Sequence, residues 1–519
     1  MTTEPVEQLV PDEVIPHQTL PPLRYRDMPE AIPWTRMVGP SIILAGMALG
    51  SGEFIIWPQI VYHSGYVFFW ACLLGVVTQF FLNMEIERWA LVTGETATTG
   101  FCRMSLHWAW VMLILNIVPW AWPGWATGAG QMLSWLVMGP IETQTEQGMT
   151  YGAHYVTTFG IGGLVLIGIV LTAGPVVYNT VERIQTVLVF LILLIVVVLS
   201  FLIVRVDAVL EMLKGSLLIG QMPDLANSDL TYMTLLGALA FAGAGGTLNL
   251  CQSAYIKDKG YGMGKYIGRI TSPITGAEEA VEEIGYHFQH TPENLARWRR
   301  WWKAANTEHL FSFLLTCVAC LVLMTLISYC LLHDTDGKLK PGMEHLGGNM
   351  DFVWGQAIEI EKQFGSSLKA MFLVMGVIIM MTTELGVLDA VSRISADIVK
   401  TNYLRENANW SASRLYFFFL WGEILLGSII LLLSAVVDEF EKPLFLIKTA
   451  AAMNAGVMFI YSLLLLYMNS KILSRSIAIT PFRFLMLVWS CGFFGFFSII
   501  ALQQEVFPYL QEAFGYVAR

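Results

Sequence analysis

The chain has 519 residues, 55% of them hydrophobic and only 13% charged, with a net charge of −10 and a mean hydropathy of +0.59. Soluble domains carry about 25% charged residues, and the apolar residues here fall in runs of about 20, the length that crosses a ~30 Å hydrocarbon slab. These numbers exclude a soluble enzyme and predict an all-α polytopic membrane protein, with 17 Trp, 18 Tyr and 30 Phe to populate its headgroup boundaries.

Residues 1–36 are polar, acidic and proline-rich, with seven prolines from Pro5 to Pro33, and lack the short apolar core of a signal peptide. They read as a disordered cytosolic tail. Eleven apolar windows follow over residues 37–505: Met37–Tyr62, Val67–Ala90, Trp108–Met138, Phe159–Tyr178, Ile184–Val204, Tyr232–Tyr255, Leu310–Leu332, Leu368–Val391, Leu415–Val437, Leu444–Tyr467 and Phe484–Leu502. Pro119 and Pro123 predict a kink in the third. Residues 506–519 form a short C-terminus.

Lys and Arg set the orientation. With the N-terminus inside, cytosolic segments hold 21 of the 30 basic residues. The C-terminus is then external, as is the acidic loop 333–367, and the plasma membrane is the expected location. The cytosolic loop 256–309 holds an acidic stretch (Glu278, Glu279, Glu282, Glu283) and then a basic, tryptophan-rich run from Arg297 to Lys303. That run reads as a helix lying on anionic lipid, with lipid rather than nucleic acid as its partner. The seven cysteines sit mostly in apolar runs and suggest no disulfide framework. Cys317 and Cys320 form a CxxC that reads as packing. No metalloprotease, P-loop or nucleophile-elbow motif occurs, so no catalytic residue and no cofactor is expected.

Intramembrane charge and broken helices mark function in such chains. Glycine clusters stand near mid-membrane in span 1 (Gly46, Gly50, Gly52) and span 6 (Gly243, Gly245, Gly246), five spans apart. This predicts two five-helix inverted repeats, a LeuT-like 5+5 arrangement plus an eleventh helix, with both first helices unwound around a substrate. Close packing is the competing reading of the glycines. Glu53 follows the span 1 cluster and reads as an ion ligand, or else as a cap on freed amides. Span 8 carries Thr383, Glu384 and Asp389, span 9 Glu423, and span 10 Lys448, expected to snorkel outward, and Asn454. Glu384 is either a second ligand or a partner of Arg393. Glu85, Glu87 and Arg88 read as a structural charge cluster.

The run from Gln79 to Arg103 resembles the end of span 2 in NRAMP (natural resistance-associated macrophage protein) metal-ion transporters, above all at Leu91–Gly94 and at Cys102 and Arg103. Tyr178–Ile184, Gln252–Ala254 and Asn469–Leu473 are similar to that family's entry to span 5, exit of span 6 and exit of span 10. The resemblance implies a divalent metal-ion transporter. The family's span 1 signature falls on Gly50, Ser51, Gly52 and Glu53, replacing its metal-binding Asp with Gly50, and its span 6 Met-Pro-His falls on Gly245, Gly246 and Thr247. A metal site would then comprise Glu53 and Thr247 with the Gly50 and Gly243 carbonyls, joined by Thr383, Glu384 and Asn454. Oxygen donors of this kind suit Mg²⁺ or Mn²⁺, as in a divergent NRAMP-related branch. The family's proton-carrying acid falls near Pro123, which predicts ion flow without proton coupling unless Glu384 and Glu423 form another relay. Span 1 and span 6 are also similar to amino-acid/polyamine/organocation transporters, and an amino acid or amine is the alternative cargo on the same fold.

Overall fold

The computed structural model describes residues 8–145, 148–226, 228–272 and 284–508. Among them ten helices are long and apolar enough to cross a membrane: Pro40–Ser64, Phe69–Thr93, His107–Met138, Val156–Ala173, Val177–Ile203, Pro292–Leu332, Ser366–Asn402, Ala412–Ala435, Pro443–Ile472 and Pro481–Gln504. They match the expected spans 1–5 and 7–11. Span 6 lies between them as two short helices, Tyr232–Ala240 and Gly246–Lys259. The protein is an all-α, multi-pass membrane protein.

Span 8 is the hub. Its 37 residues touch spans 1, 3, 4, 5, 6 and 9. Span 3 is interrupted as its prolines require: one helix ends at Trp120 and the next begins at Gly124. The Ala126 amide in the first turn of the second half faces Glu384 of span 8.

The loops gather at the two ends as the basic residues predict. At one end lie the N-terminal segment, the turn after span 2, the loop after span 6 and the exits of spans 8 and 10. Arg24–Tyr25 pairs with Tyr286–His287, Lys257 meets Asp397 at 2.7 Å, and Ser474 bonds His290 at 3.2 Å. At the other end the Tyr62 hydroxyl donates to Met343 O at 2.7 Å, and Arg205 donates to Cys330 O and His333 O. The loop after span 7 carries a helix of its own, Asp351–Phe364.

Three expectations need correction at the first of these ends. Residues 8–36 do not trail into solvent. Val10, Ile15, Leu20, Leu23 and Met28 are buried, and Arg103 and Trp301 donate to the Pro21 and Pro29 carbonyls at 3.1 and 2.9 Å. Prolines hold this strap extended, while spaced apolar side chains anchor it. The basic, tryptophan-rich run belongs to the helix Pro292–His309, which runs through a π-turn into span 7. Trp298 and Trp301 are buried in protein instead of facing lipid, and the Arg88 guanidinium sits 4.0 Å over the Trp302 ring. Glu85 and Arg88 pair as expected, at 2.7 Å, but Glu87 stands outside that pair, with neither oxygen hydrogen-bonded. The acidic stretch 278–283, residues 1–7 and the C-terminal residues 509–519 lie outside the described residues.

Burial pushes His287 of the loop pairing down to about 4. An unfolded imidazole titrates near ~6.5, so releasing this contact takes up a proton between those values and the strap loosens as pH falls through that window. Limited proteolysis within residues 8–30 should accelerate on going from pH 7 to pH 5, and His287→Phe should flatten that dependence. Single cysteines replacing the exposed Lys303 and Gly348 should label from opposite faces of sealed vesicles.

Candidate functional site

The middle of the molecule is built where span 1 meets the break in span 6. Span 1 does not unwind as expected. It runs Pro40–Ala48 as α-helix, Leu49–Ile56 as π-helix and Trp57–Ser64 as α-helix, and the Trp57 amide still bonds Gly52 O. A π-turn widens the helix while keeping its backbone bonds made, which a membrane interior demands. Its glycines serve close approach. A Cβ on Gly52 would lie 1.4 Å from the Phe241 carbonyl oxygen, and one on Gly50 would lie 2.1 Å from Thr383 Oγ1.

Span 6 does break, over Phe241–Gly245. Gly245 and Gly246 take φ values of +74° and +52°, which a side chain would strain. The backbone groups exposed by the break are bonded by one residue of span 2. Gln79 Nε2 donates to Ala240 O at 2.7 Å and Leu239 O at 3.3 Å. Its Oε1 accepts from the Gly245 amide and from Asn249 Nδ2, both at 3.2 Å. Asn249 also donates to the Tyr461 hydroxyl at 3.1 Å. Gln79 thus caps the end of one half-helix and the start of the next, each capped group being worth about 1–3 kcal/mol against leaving it bare.

Glu53 apart, the expected ligands divide into three neighbourhoods. Gly50 and Thr383 meet: the Gly50 amide donates to Thr383 Oγ1 at 3.1 Å, and that hydroxyl donates to Met47 O at 3.2 Å. Gly243, Thr247 and Asn454 line the break. Gly243 packs on the Gln79 amide, and Asn454 Oδ1 sits against Gly246 without a hydrogen bond. Thr247 accepts from the Trp120 indole at 2.9 Å. Trp120 in turn stacks on Phe241, with ring centroids 5.7 Å apart, and lies 5.6 Å from Trp125. Glu384 stands apart with Glu423, the carboxylate within electrostatic reach of it. It does not pair with Arg393, which is taken by Asp389 at 2.8 Å and by Asp258.

Glu53 is fully buried and neither oxygen makes a hydrogen bond. It caps no freed amide, since Gln79 does that work. It faces Cys317 of span 7, with Cys320 and Cys72 also within its field. Sequence reasoning placed no sulfur near Glu53 and treated the CxxC as packing; the two meet because span 7 lies along the π-turn of span 1. Among the described residues no three His, Cys, Asp or Glu side chains are grouped closely enough to hold a metal ion. Lys448 is half-buried and does not snorkel freely; Asp229 and His63 share its surroundings. Gln79, Trp120 and Asn249 were missed as site residues. A glutamine and an asparagine deep in apolar spans were the available signal.

No protein-family model and no curated protein matches this chain. Solved structures do. The manganese transporter of Eremococcus coleocola, in a histidine-to-alanine variant, superposes with a TM-score of 0.63 at 11% identity, covering 95% of this chain and 91% of that one. A glutamate-to-alanine variant and a complex with an aromatic bis-isothiourea substituted compound give TM-scores of 0.62 and 0.60 at the same identity and coverage. At this identity the likeness establishes the fold, which is LeuT-like.

Gly52→Ala should be the most damaging single-methyl addition in span 1, because the carbonyl it meets is backbone. Overpacking costs typically 1–3 kcal/mol, and purified Gly52→Ala should melt several degrees below the parent. Gly456→Ala, where nothing lies within 4 Å, should melt at or above it.

Proposed function

We propose that the protein is a membrane transporter of divalent metal cations, with Glu53 as the charge that draws the ion to the junction of spans 1, 2, 6 and 7. The observation that carries this reading is the state of Glu53: a carboxylate at mid-span, sealed from water, with no hydrogen bond. Such a group is costly unless it meets a cation or a proton. Two features beside it support a transport role. The broken span 6 offers the Phe241 carbonyl next to the π-turn, and the fold is that of a solved manganese transporter.

Mn²⁺ is the ion to expect first. Carbonyl, Thr247 and Glu53 oxygens favour harder ions, whereas Cys317 beside Glu53 admits softer ones as well. Ion entry requires Gln79 to yield its bonds to the break, because its amide fills the gap between the two half-helices. With the N-terminal strap on the cytosolic side, an inside-negative potential would favour uptake by about 4.6 kcal/mol per doubly charged ion per 100 mV.

The stacked Trp120 and Phe241, with Trp125 tilted against both, favour a second reading, an organic ammonium held by its face-on attraction to aromatic rings. Proteoliposomes separate the two. Mn²⁺ influx should rise with an inside-negative potential and fall at least tenfold in Glu53→Gln, with Trp120→Leu less affected. Unchanged Mn²⁺ influx in Glu53→Gln would contradict the reading. Alkylammonium or amino-acid uptake lost in Trp120→Leu, without any metal flux, would establish the second.

A further inference from the structure

A second set of buried carboxylates lies at the inner ends of spans 1, 2, 6 and 7, away from Glu53. Glu87 of span 2 is fully buried and neither oxygen is hydrogen-bonded. The Gln252 amide of span 6 faces it, and Gln252 Oε1 is itself buried without a partner. Glu308, at the head of span 7, lies within electrostatic reach of Glu87 and is 2% exposed. Its Oε2 accepts from the Ser41 hydroxyl of span 1 at 2.5 Å, while Oε1 has no partner.

Ser41 ties the group together. Its single proton goes to Glu308, so its oxygen accepts from His309 Nδ1 at 2.8 Å and from Gln252 Nε2 at 3.4 Å. The His309 ring is held between Phe313 and Phe80, at centroid distances of 4.7 and 5.5 Å, and its Nε2 is unpartnered. Glu87, Glu308, Gln252 and, with its proton on Nδ1, His309 Nε2 therefore present bare acceptor atoms.

The charges around it do not balance. Glu85, Glu87 and Glu308 face two guanidiniums, Arg88 and Arg483, and Glu85 engages both, at 2.7 and 3.2 Å. On the neighbouring elements Glu182 and Lys259 neutralise each other at 2.5 Å, and Tyr178 and Tyr261 bring only hydroxyls. With all three carboxylates ionised and the His309 imidazole neutral, one positive charge is missing from a buried site. An uncompensated buried charge of this kind is strongly destabilising, so the site is complete only when one cation is added.

We infer that the inner ends of spans 1, 2, 6 and 7 enclose a binding site for one monovalent cation, a proton or an alkali ion, shared by the Glu87 and Glu308 carboxylates with Gln252 Oε1. An alkali ion would use the bare oxygens as hard donors. A proton would sit on one carboxyl, and the Glu308–Ser41–His309 chain gives it a path whose hydrogen bonds reverse direction as it moves. The site rests on this charge balance and on no assumption about the transported solute.

The test uses the full-length protein in detergent, with thermal unfolding followed in two titrations: NaCl replacing choline chloride at fixed pH, and pH in choline chloride alone. Glu87→Gln and Glu308→Gln each remove the surplus negative charge, and Glu211→Gln, in the exposed segment after span 5, is the control. A Na⁺-dependent rise in melting temperature that both variants lose and the control keeps assigns an alkali ion. A fall in melting temperature as pH rises, independent of Na⁺ and lost in both variants, assigns a proton. Should either variant fail to fold, the other decides, and infrared difference spectra of the parent read carboxyl protonation directly. A parent insensitive to both titrations, or variants that respond as the parent does, would overturn the inference. A parent that binds the cation here yet moves no Mn²⁺ would contradict the transport reading alone.

Discussion

The break in span 6 depends on one amide. Interrupting a helix inside a membrane bares carbonyls at the end of one half and amides at the start of the other, and hydrocarbon offers no water to satisfy them. Gln79 reaches across from span 2 with two donors and one acceptor and bonds both halves at once. The rest of the centre is arranged around that contact. Gly52 lets span 1 lie against the freed Phe241 carbonyl, Gly243 packs on the Gln79 amide, and Trp120 closes over Thr247. The break is therefore a built feature with its own partner, and a cargo that uses it must compete with Gln79 for the same atoms.

Spans 1 and 6 hold equivalent places in the two repeats but solve the same problem differently. Span 1 keeps its hydrogen bonds by widening into a π-turn, and span 6 gives them up to a side chain. The difference follows from local sequence. Gly245 and Gly246 are adjacent and both adopt positive φ, whereas Gly50 and Gly52 are separated and remain helical. Close approach to Thr383 and Phe241, rather than backbone freedom, is what excludes larger side chains at those two positions.

Most of the architecture was legible in the chain. Runs of apolar residues locate the spans, Pro119 and Pro123 locate the interruption of span 3, and basic residues sort the loops to two ends. The failures share one physical origin, which is that composition reports polarity and not contact. Proline and charge in residues 8–36 suggested disorder, but five spaced apolar residues bury against the loops. Arg297–Lys303 has the composition of a lipid-facing helix, yet Trp298 and Trp301 turn inward. Glu53 was found because a carboxylate in an apolar run is conspicuous. Its neighbour Cys317 was not, because a thiol among apolar residues looks like packing until the facing helix is known. Gln79 and Asn249 were readable in principle, as the amide side chains nearest the expected break.

The central claim is that Gln79 holds the break in span 6 closed, and backbone hydrogen exchange over Phe241–Asn249 tests it most directly. Replacing Gln79 with Leu removes partners from Ala240 O and the Gly245 amide while leaving the apolar spans intact. At about 1–3 kcal/mol per lost bond, exchange in that segment should accelerate roughly five- to 150-fold, with span 8 unchanged. Equal protection of Phe241–Asn249 in the parent and in Gln79→Leu would contradict the account.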